Sequence, residues 1–250
     1  EKLKWGLIAN GAIANAFANS IKNSKTSELK SLFGRNKSKV EAFAKKHKIV
    51  SFNDLDSFLD SDLDAVYIAT PHDSHFYYSL KCVRQNLHVL CEKPLTINSS
   101  ESMILINEVQ KRNVFLMEAF MYRCHPQTFK VLELIEKHFL NKEVKMQSSF
   151  GFVANVSKEH RLRNPYLAGG AILDVGCYPL SMVRLISGRL KNLPFADPLE
   201  IVVEGELDET GVDAKSTAKL NFSDGISAEI QTAIQAVSYT HLTLPTSNDV

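Results

Sequence analysis

Three residues in this chain carry groups that could move a proton or fix a charge at a reacting centre: Lys93, Asp174 and Tyr178. Lys93 stands in Val89-Leu90-Cys91-Glu92-Lys93-Pro94, just after an apolar run, His88 to Cys91, that reads as a short buried strand. Ligands of open parallel sheets sit beyond the carboxyl ends of the strands. A lysine placed there, beside a proline that restricts its backbone, is a candidate catalytic group. Asp174 and Tyr178 lie four apart at a predicted helix start, so they can share a face. Oxidising a secondary alcohol or hemiacetal requires a proton to leave oxygen as hydride leaves carbon. A free phenol titrates at about 10 and is a poor base at neutral pH; a neighbouring ammonium stabilises the phenolate and lowers that value. Lys93 could supply the ammonium and hold the substrate oxygen, Tyr178 could take the proton, and Asp174 could orient the substrate or Lys93. Blander roles stand beside these: a solvated strand-exit lysine, a helix N-cap for Asp174, and a half-buried packing tyrosine with a satisfied hydroxyl.

The N-terminal residues have the setting of a dinucleotide-binding turn. Lys4 to Ala9 reads as a strand, followed by Ala9-Asn10-Gly11-Ala12-Ile13-Ala14 and a helical face of Ile13, Phe17 and Ile21. A pyrophosphate would rest on the helix N-terminus, near Ala9, Gly11, Ala12 and Ile13. Ala9 replaces the usual first glycine and serves if its φ stays negative; Asn10 tolerates a left-handed turn. A second strand, Glu28 to Phe33, ends at Gly34-Arg35-Asn36-Lys37-Ser38-Lys39. NAD-selective folds usually place an acid there to hold the ribose 2′-hydroxyl. This turn has none, and Arg35, Lys37 and Lys39 would attract a 2′-phosphate, so NADP is expected rather than NAD. Thr70 and Pro71 are expected to line the cofactor cleft, with His75 pointing toward it. His72 and His75 have no cysteine or carboxylate partners at ligand spacing, so no metal is expected.

Strand and helix patterns alternate regularly to about Met117, implying a doubly wound parallel sheet with right-handed crossovers. Beyond a helix from Pro126 to Phe139 the pattern changes to strands near Val144–Phe152, Leu199–Leu207, Ala214–Phe222 and Ser227–Ala233. The fold class expected is α/β: an N-terminal Rossmann domain over residues 1–122, then an α+β domain with a mostly antiparallel open sheet over 123–236. Residues 237–250 read as translated adapter sequence, so a non-native tail and loss of the last native strands are expected. The chain has 250 residues, 44% hydrophobic and 23% charged, with net charge +1. That balance shows no basic field for nucleic acid. No apolar run looks long enough to cross a bilayer. Four scattered cysteines fit reduced thiols and a cytoplasmic location.

Glu92-Lys93-Pro94 and Gly169-Gly170-Ala171-Ile172-Leu173-Asp174-Val175-Gly176-Cys177-Tyr178, together with Tyr67-Ile68-Ala69-Thr70-Pro71-His72 and Met117-Glu118-Ala119, resemble the Gfo/Idh/MocA oxidoreductases from Trp5 to about Ala233. The likeness is strongest to the branch of dimeric dihydrodiol dehydrogenases and NADP-dependent xylose dehydrogenases. It implies hydride transfer between nicotinamide and a carbon of a sugar or cyclic diol, and a homodimer formed through the open sheet. It implies Lys93 as the motif lysine with a cis Pro94, Glu92 and Lys93 beside the cofactor, Asp174 as the acid of the second motif, and Tyr178 where many members carry histidine. Arg123 and Arg163 are candidate substrate contacts. Ala9 and the early C-terminus depart from the family pattern. A non-catalytic NAD(P)-binding sensor of the same fold is the alternative.

Overall fold

The computed structural model describes residues 2–140, 142–235 and 241–243. It divides into two compact units, Glu1–Ala119 and Phe120–Val250.

In the first unit six strands pair in parallel: β1 (Leu3–Ile8), β2 (Ser27–Phe33), β3 (Val50–Phe52), β4 (Ala65–Ile68), β5 (His88–Cys91) and β6 (Leu116–Glu118). Their order is β3-β2-β1-β4-β5-β6. The winding reverses between β1 and β4, which opens a crevice at their carboxyl ends. The connecting helices are α1 (Ala12–Ser20), α2 (Lys37–His47), α3 (Leu55–Leu59), α4 (His75–Arg84) and α5 (Ser99–Arg112). Adjacent strand residues face opposite layers. Leu7, Leu32 and Tyr67 pack with Ala14, Ala18 and Val40, while Ile8, Val66, Ile68 and Val89 pack with Cys82, Val83 and Leu105. Each such leucine or valine, fully buried, contributes roughly 1.5–3 kcal/mol. Short polar side chains start three of the helices: Asn36, Asp54 and Asn98 accept from the backbone N–H of Lys39, Ser57 and Glu101.

The second unit comprises α6 (Pro126–Phe139), β7 (Val144–Gly151), α7 (Cys177–Arg189), β8 (Glu200–Leu207), β9 (Asp213–Asn221) and β10 (Ile226–Ala233). The strands lie in the order β7-β10-β9-β8. β10 runs antiparallel to β9 and β9 to β8, but β7 and β10 are parallel, so the sheet is mixed. The β9–β10 hairpin turns on Asp224 and Gly225, both at positive φ (64° and 71°), as a tight two-residue turn requires. α6 and α7 cover one face: Ile135, Val183, Ile186 and Leu190 bury against Met146, Ala218, Leu220 and Ile230. Truncating Ile186 to alanine there would cost about 2–5 kcal/mol.

One sequence expectation is corrected. Pro165–Arg189 is long and apolar enough, by length and composition, to cross a membrane. Half of its most apolar window is buried inside the fold, and Ala168 and Gly170 interrupt it at positive φ, so it serves as the core helix of this unit. Of the expected non-native tail 237–250, only His241–Thr243 is described, as a strand antiparallel to β7; the remainder lies outside the described residues.

Candidate active site

Each unit contributes one group of the predicted residues. In the first unit, α1 starts at Gly11 with no side-chain cap, and no atom lies within 4 Å of where a Cβ on Gly11 would stand. Gly11 therefore leaves room beside the start of α1, at the positive end of the helix dipole, which fits a pyrophosphate. Ala9 departs from expectation: its φ is +94°. It adopts the conformation that the missing glycine would favour, because the chain must still turn sharply from β1 into α1. At the end of β2, Gly34 is fixed by Asn53 Nδ2, which donates to its carbonyl at 3.0 Å, and a Cβ there would meet Val40 Cγ2 at 2.7 Å. Arg35 follows, exposed. Asn36, where an acid could have stood, has its side chain engaged in capping α2.

At the end of β4, Thr70 Oγ1 is buried and has no hydrogen-bond partner among the described residues. It is an available donor in the crevice, as a bound polar ligand would require. His75 is corrected. It is fully buried, with Nδ1 2.7 Å from the Pro94 carbonyl oxygen and Nε2 2.8 Å from that of Thr70. Its ring bridges two loops. The first turn of α4 points inward here, which residue spacing alone does not reveal.

The Glu92–Leu95 segment at the end of β5 is held from several sides. Tyr67 donates its hydroxyl to Glu92 Oε1 at 2.5 Å. The Lys93–Pro94 peptide is cis. Leu95 N donates to Glu118 Oε1 at 2.8 Å, and His75 secures the Pro94 carbonyl. Lys93 is half-buried on this clamped loop. His75, expected to face the cofactor, holds this loop; Tyr67 and Glu118 hold it too and were not assigned by sequence reasoning. Their only signal was membership of the short motifs around them.

In the second unit, residues Ile172–Gly176 wind as one π-turn before α7. Asp174 and Tyr178 are consequently not separated by a plain α-turn. A Cβ on Gly176 would meet Thr232 Cγ2 at 3.1 Å, so a glycine lets this turn approach β10 closely. Asp174 is no helix N-cap: it is buried and accepts from Arg161 Nη1 at 3.0 Å. Tyr178 stands in an aromatic group, with ring centroids 5.5 Å from Phe120 and Phe150 and 6.2 Å from Tyr122. Arg123 donates to Ser181 Oγ at 3.0 Å and lies 5.9 Å from the Phe120 ring centroid.

Arg163, expected as a substrate contact, is engaged within its own unit. Its Nε donates to Asp208 Oδ2 at 2.8 Å, Nη2 to Glu209 Oε1 at 2.9 Å and Nη1 to the Val156 carbonyl at 3.2 Å. The Asp208 hydrogen bond raises its pKa further. Burial pushes Asp208 up, but hydrogen bonds from Thr210 and Arg163 outweigh it and hold the carboxyl below its ordinary value. Arg163 pins the loop to the β8–β9 turn. Among the described residues no group of three or more His, Cys, Asp or Glu side chains could hold a metal. Cys82, Cys91 and Cys124 are free thiols; burial pushes Cys91 up to about 12, leaving it unreactive at neutral pH.

Residues 3–120 match the oxidoreductase family with an NAD-binding Rossmann fold, and residues 129–244 match the GFO/IDH/MocA C-terminal domain. The chain belongs to the Gfo/Idh/MocA family of oxidoreductases. It is 30% identical over 239 residues to trans-1,2-dihydrobenzene-1,2-diol dehydrogenase of Xenopus tropicalis, covering 93% of this chain and 69% of that enzyme. It is 34% identical over 174 residues to D-xylose 1-dehydrogenase (NADP(+)) 2 of Haloferax volcanii, covering 70% of this chain and 51% of that one. Among solved structures, a 3-ketoreductase from Actinomadura kijaniata in complex with NADP and TDP-benzene shares the fold with a TM-score of 0.86 at 23% identity, over 99% of this chain and 74% of that one. An aldose-aldose oxidoreductase from Caulobacter crescentus gives 0.84 at 22%, over 94% and 72%. At such identities these two likenesses concern the fold alone.

Proposed function

We propose that the chain is an NADP-dependent dehydrogenase acting on an alcohol carbon of a sugar or trans-dihydrodiol. The observation that carries this reading is the placement of Lys93. It sits on a loop clamped by Tyr67, His75 and Glu118 at the carboxyl end of β5, in the same sheet as β1, which leads into the uncapped start of α1. The residues fit a dinucleotide: the α1 N-terminus and Gly11 for its pyrophosphate, Arg35 for a 2′-phosphate, Thr70 Oγ1 as a donor in the crevice. Bound nicotinamide supplies the hydride acceptor or donor. The chain's own groups manage the proton. Lys93 holds the substrate hydroxyl and stabilises negative charge on oxygen, Tyr178 takes the proton, and Asp174 orients its surroundings through Arg161. The names of the dihydrodiol and D-xylose relatives support the substrate class, and the basic Arg35 turn supports NADP.

The test is a cofactor titration followed by turnover. NADP is expected to bind at least about tenfold more tightly than NAD, and Arg35→Glu to reverse that order, because it sets a carboxylate against the 2′-phosphate. D-xylose and trans-dihydrodiols are then supplied with NADP, and reduced cofactor is followed by absorbance. Equal affinity for both cofactors would reject the assignment of Arg35. Cofactor binding with no turnover on any polyol or aldose would favour a sensor.

A further inference from the structure

The turn that carries Asp174 begins without a local cap. A helix start leaves several backbone N–H groups without partners in the helix itself, and Gly170 and Ala171 have no side chains that could accept from them. The acceptor comes from another element. Asp213, the first residue of β9, takes the Ile172 N–H on its Oδ2 at 2.7 Å. Its Oδ1 stands where a Cβ on Gly170 would collide, and Gly170 passes it at φ +112°, a conformation that favours glycine. Ser216 Oγ reaches Asp213 Oδ2 at 3.4 Å and steadies the carboxylate. On the neighbouring strand, Thr232 Oγ1 donates to the buried Ala171 carbonyl at 3.1 Å. The start of the helix is thus tied to the sheet by one acceptor and one donor, two and three residues from Asp174. A carboxylate at this end also suits the helix dipole.

We infer that Asp213 is a positioning residue: a cap delivered from β9 that fixes where the turn bearing Asp174, and so the start of α7 with Tyr178, begins. It acts through the helix and does not itself touch the reacting groups. The glycine at position 170 of the second motif then has a physical reason, since the carboxylate occupies the room its missing Cβ would need. The effect on turnover rests on the proposed function; the capping itself does not.

Asp213→Ala and Asp213→Asn are made in the full chain and compared by thermal melting, by amide hydrogen exchange at Ile172, by NADP affinity, and by kcat and KM on the substrate the wild type oxidises. Asp213→Ala is expected to speed Ile172 exchange and lower kcat by about tenfold each, the scale of a lost cap, with NADP affinity unchanged. Asp213→Asn keeps an oxygen that can accept the same bond, and should restore both to within about threefold. Wild-type exchange and kcat in a folded Asp213→Ala would overturn the inference, as would a folded Asp213→Asn that fails equally. Should Asp213→Ala not fold, Asp213→Asn alone decides: retained Ile172 protection supports the cap and its loss refutes it. If the wild type oxidises nothing, the functional reading fails and the Ile172 exchange rates still judge the cap.

Discussion

His75 Nδ1 lies 2.7 Å from the carbonyl oxygen of Pro94, and the opposite ring nitrogen lies 2.8 Å from that of Thr70. One buried ring therefore fastens the loop after β4 to the loop that carries Lys93. Replacing it with alanine removes the ring hydrogen bonding that links these two loops and opens a cavity. His75→Ala is expected to lower unfolding free energy by about 2–4 kcal/mol and to reduce kcat more than it weakens cofactor binding. Urea denaturation and steady-state kinetics check this; wild-type stability would show that the bridge contributes nothing.

Ala9 occupies a conformation that side chains bearing a Cβ rarely adopt, at φ +94°. Such residues carry strain of order 1–3 kcal/mol, while glycine adds back some cost through the freer unfolded chain. Ala9→Gly is accordingly expected to stabilise the protein by about 1 kcal/mol. A lower melting temperature for the glycine variant would contradict that.

His47 carries a pH dependence. Its ring is buried, with Nε2 3.1 Å from Asn15 Oδ1. Burial first, then the charges of Lys22 and Lys46, hold its pKa below the ordinary 6.5. A base with a depressed folded value favours folding while neutral. That stability is present above the unfolded value and is lost as pH falls through the folded one. Between neutral pH and about pH 5, the wild type should lose more stability than His47→Gln. Parallel stability curves for the two proteins would remove His47 as the cause.

Much of the first unit was legible in the sequence. Buried strands such as Ala65–Ile68 and the capping Asn36, Asp54 and Asn98 announce themselves by apolar runs and short polar starts. The parallel pairing of β7 with β10 was not legible, because strand patterns do not encode which neighbour a strand chooses once a long helical crossover intervenes. Neither was the π-turn at Ile172–Gly176, which answers to the close approach of Gly176 to Thr232. Among the candidate site residues, the motif lysine, acid and tyrosine were picked out by type, spacing and family resemblance. The direction of His75, the pairing of Arg163 with Asp208 and Glu209, and the reach of Asp213 to Ile172 depend on contacts between distant segments. No local pattern carries that information.

The most direct measurement of the central claim is single-turnover hydride transfer by Lys93→Met, with NADP affinity measured on the same preparation. Removing one charge-stabilising group from a transition state typically costs about 10²–10³-fold. A loss of that size or greater, with cofactor affinity within about threefold of wild type, is the predicted result. A Lys93→Met protein that transfers hydride at the wild-type rate would contradict the account.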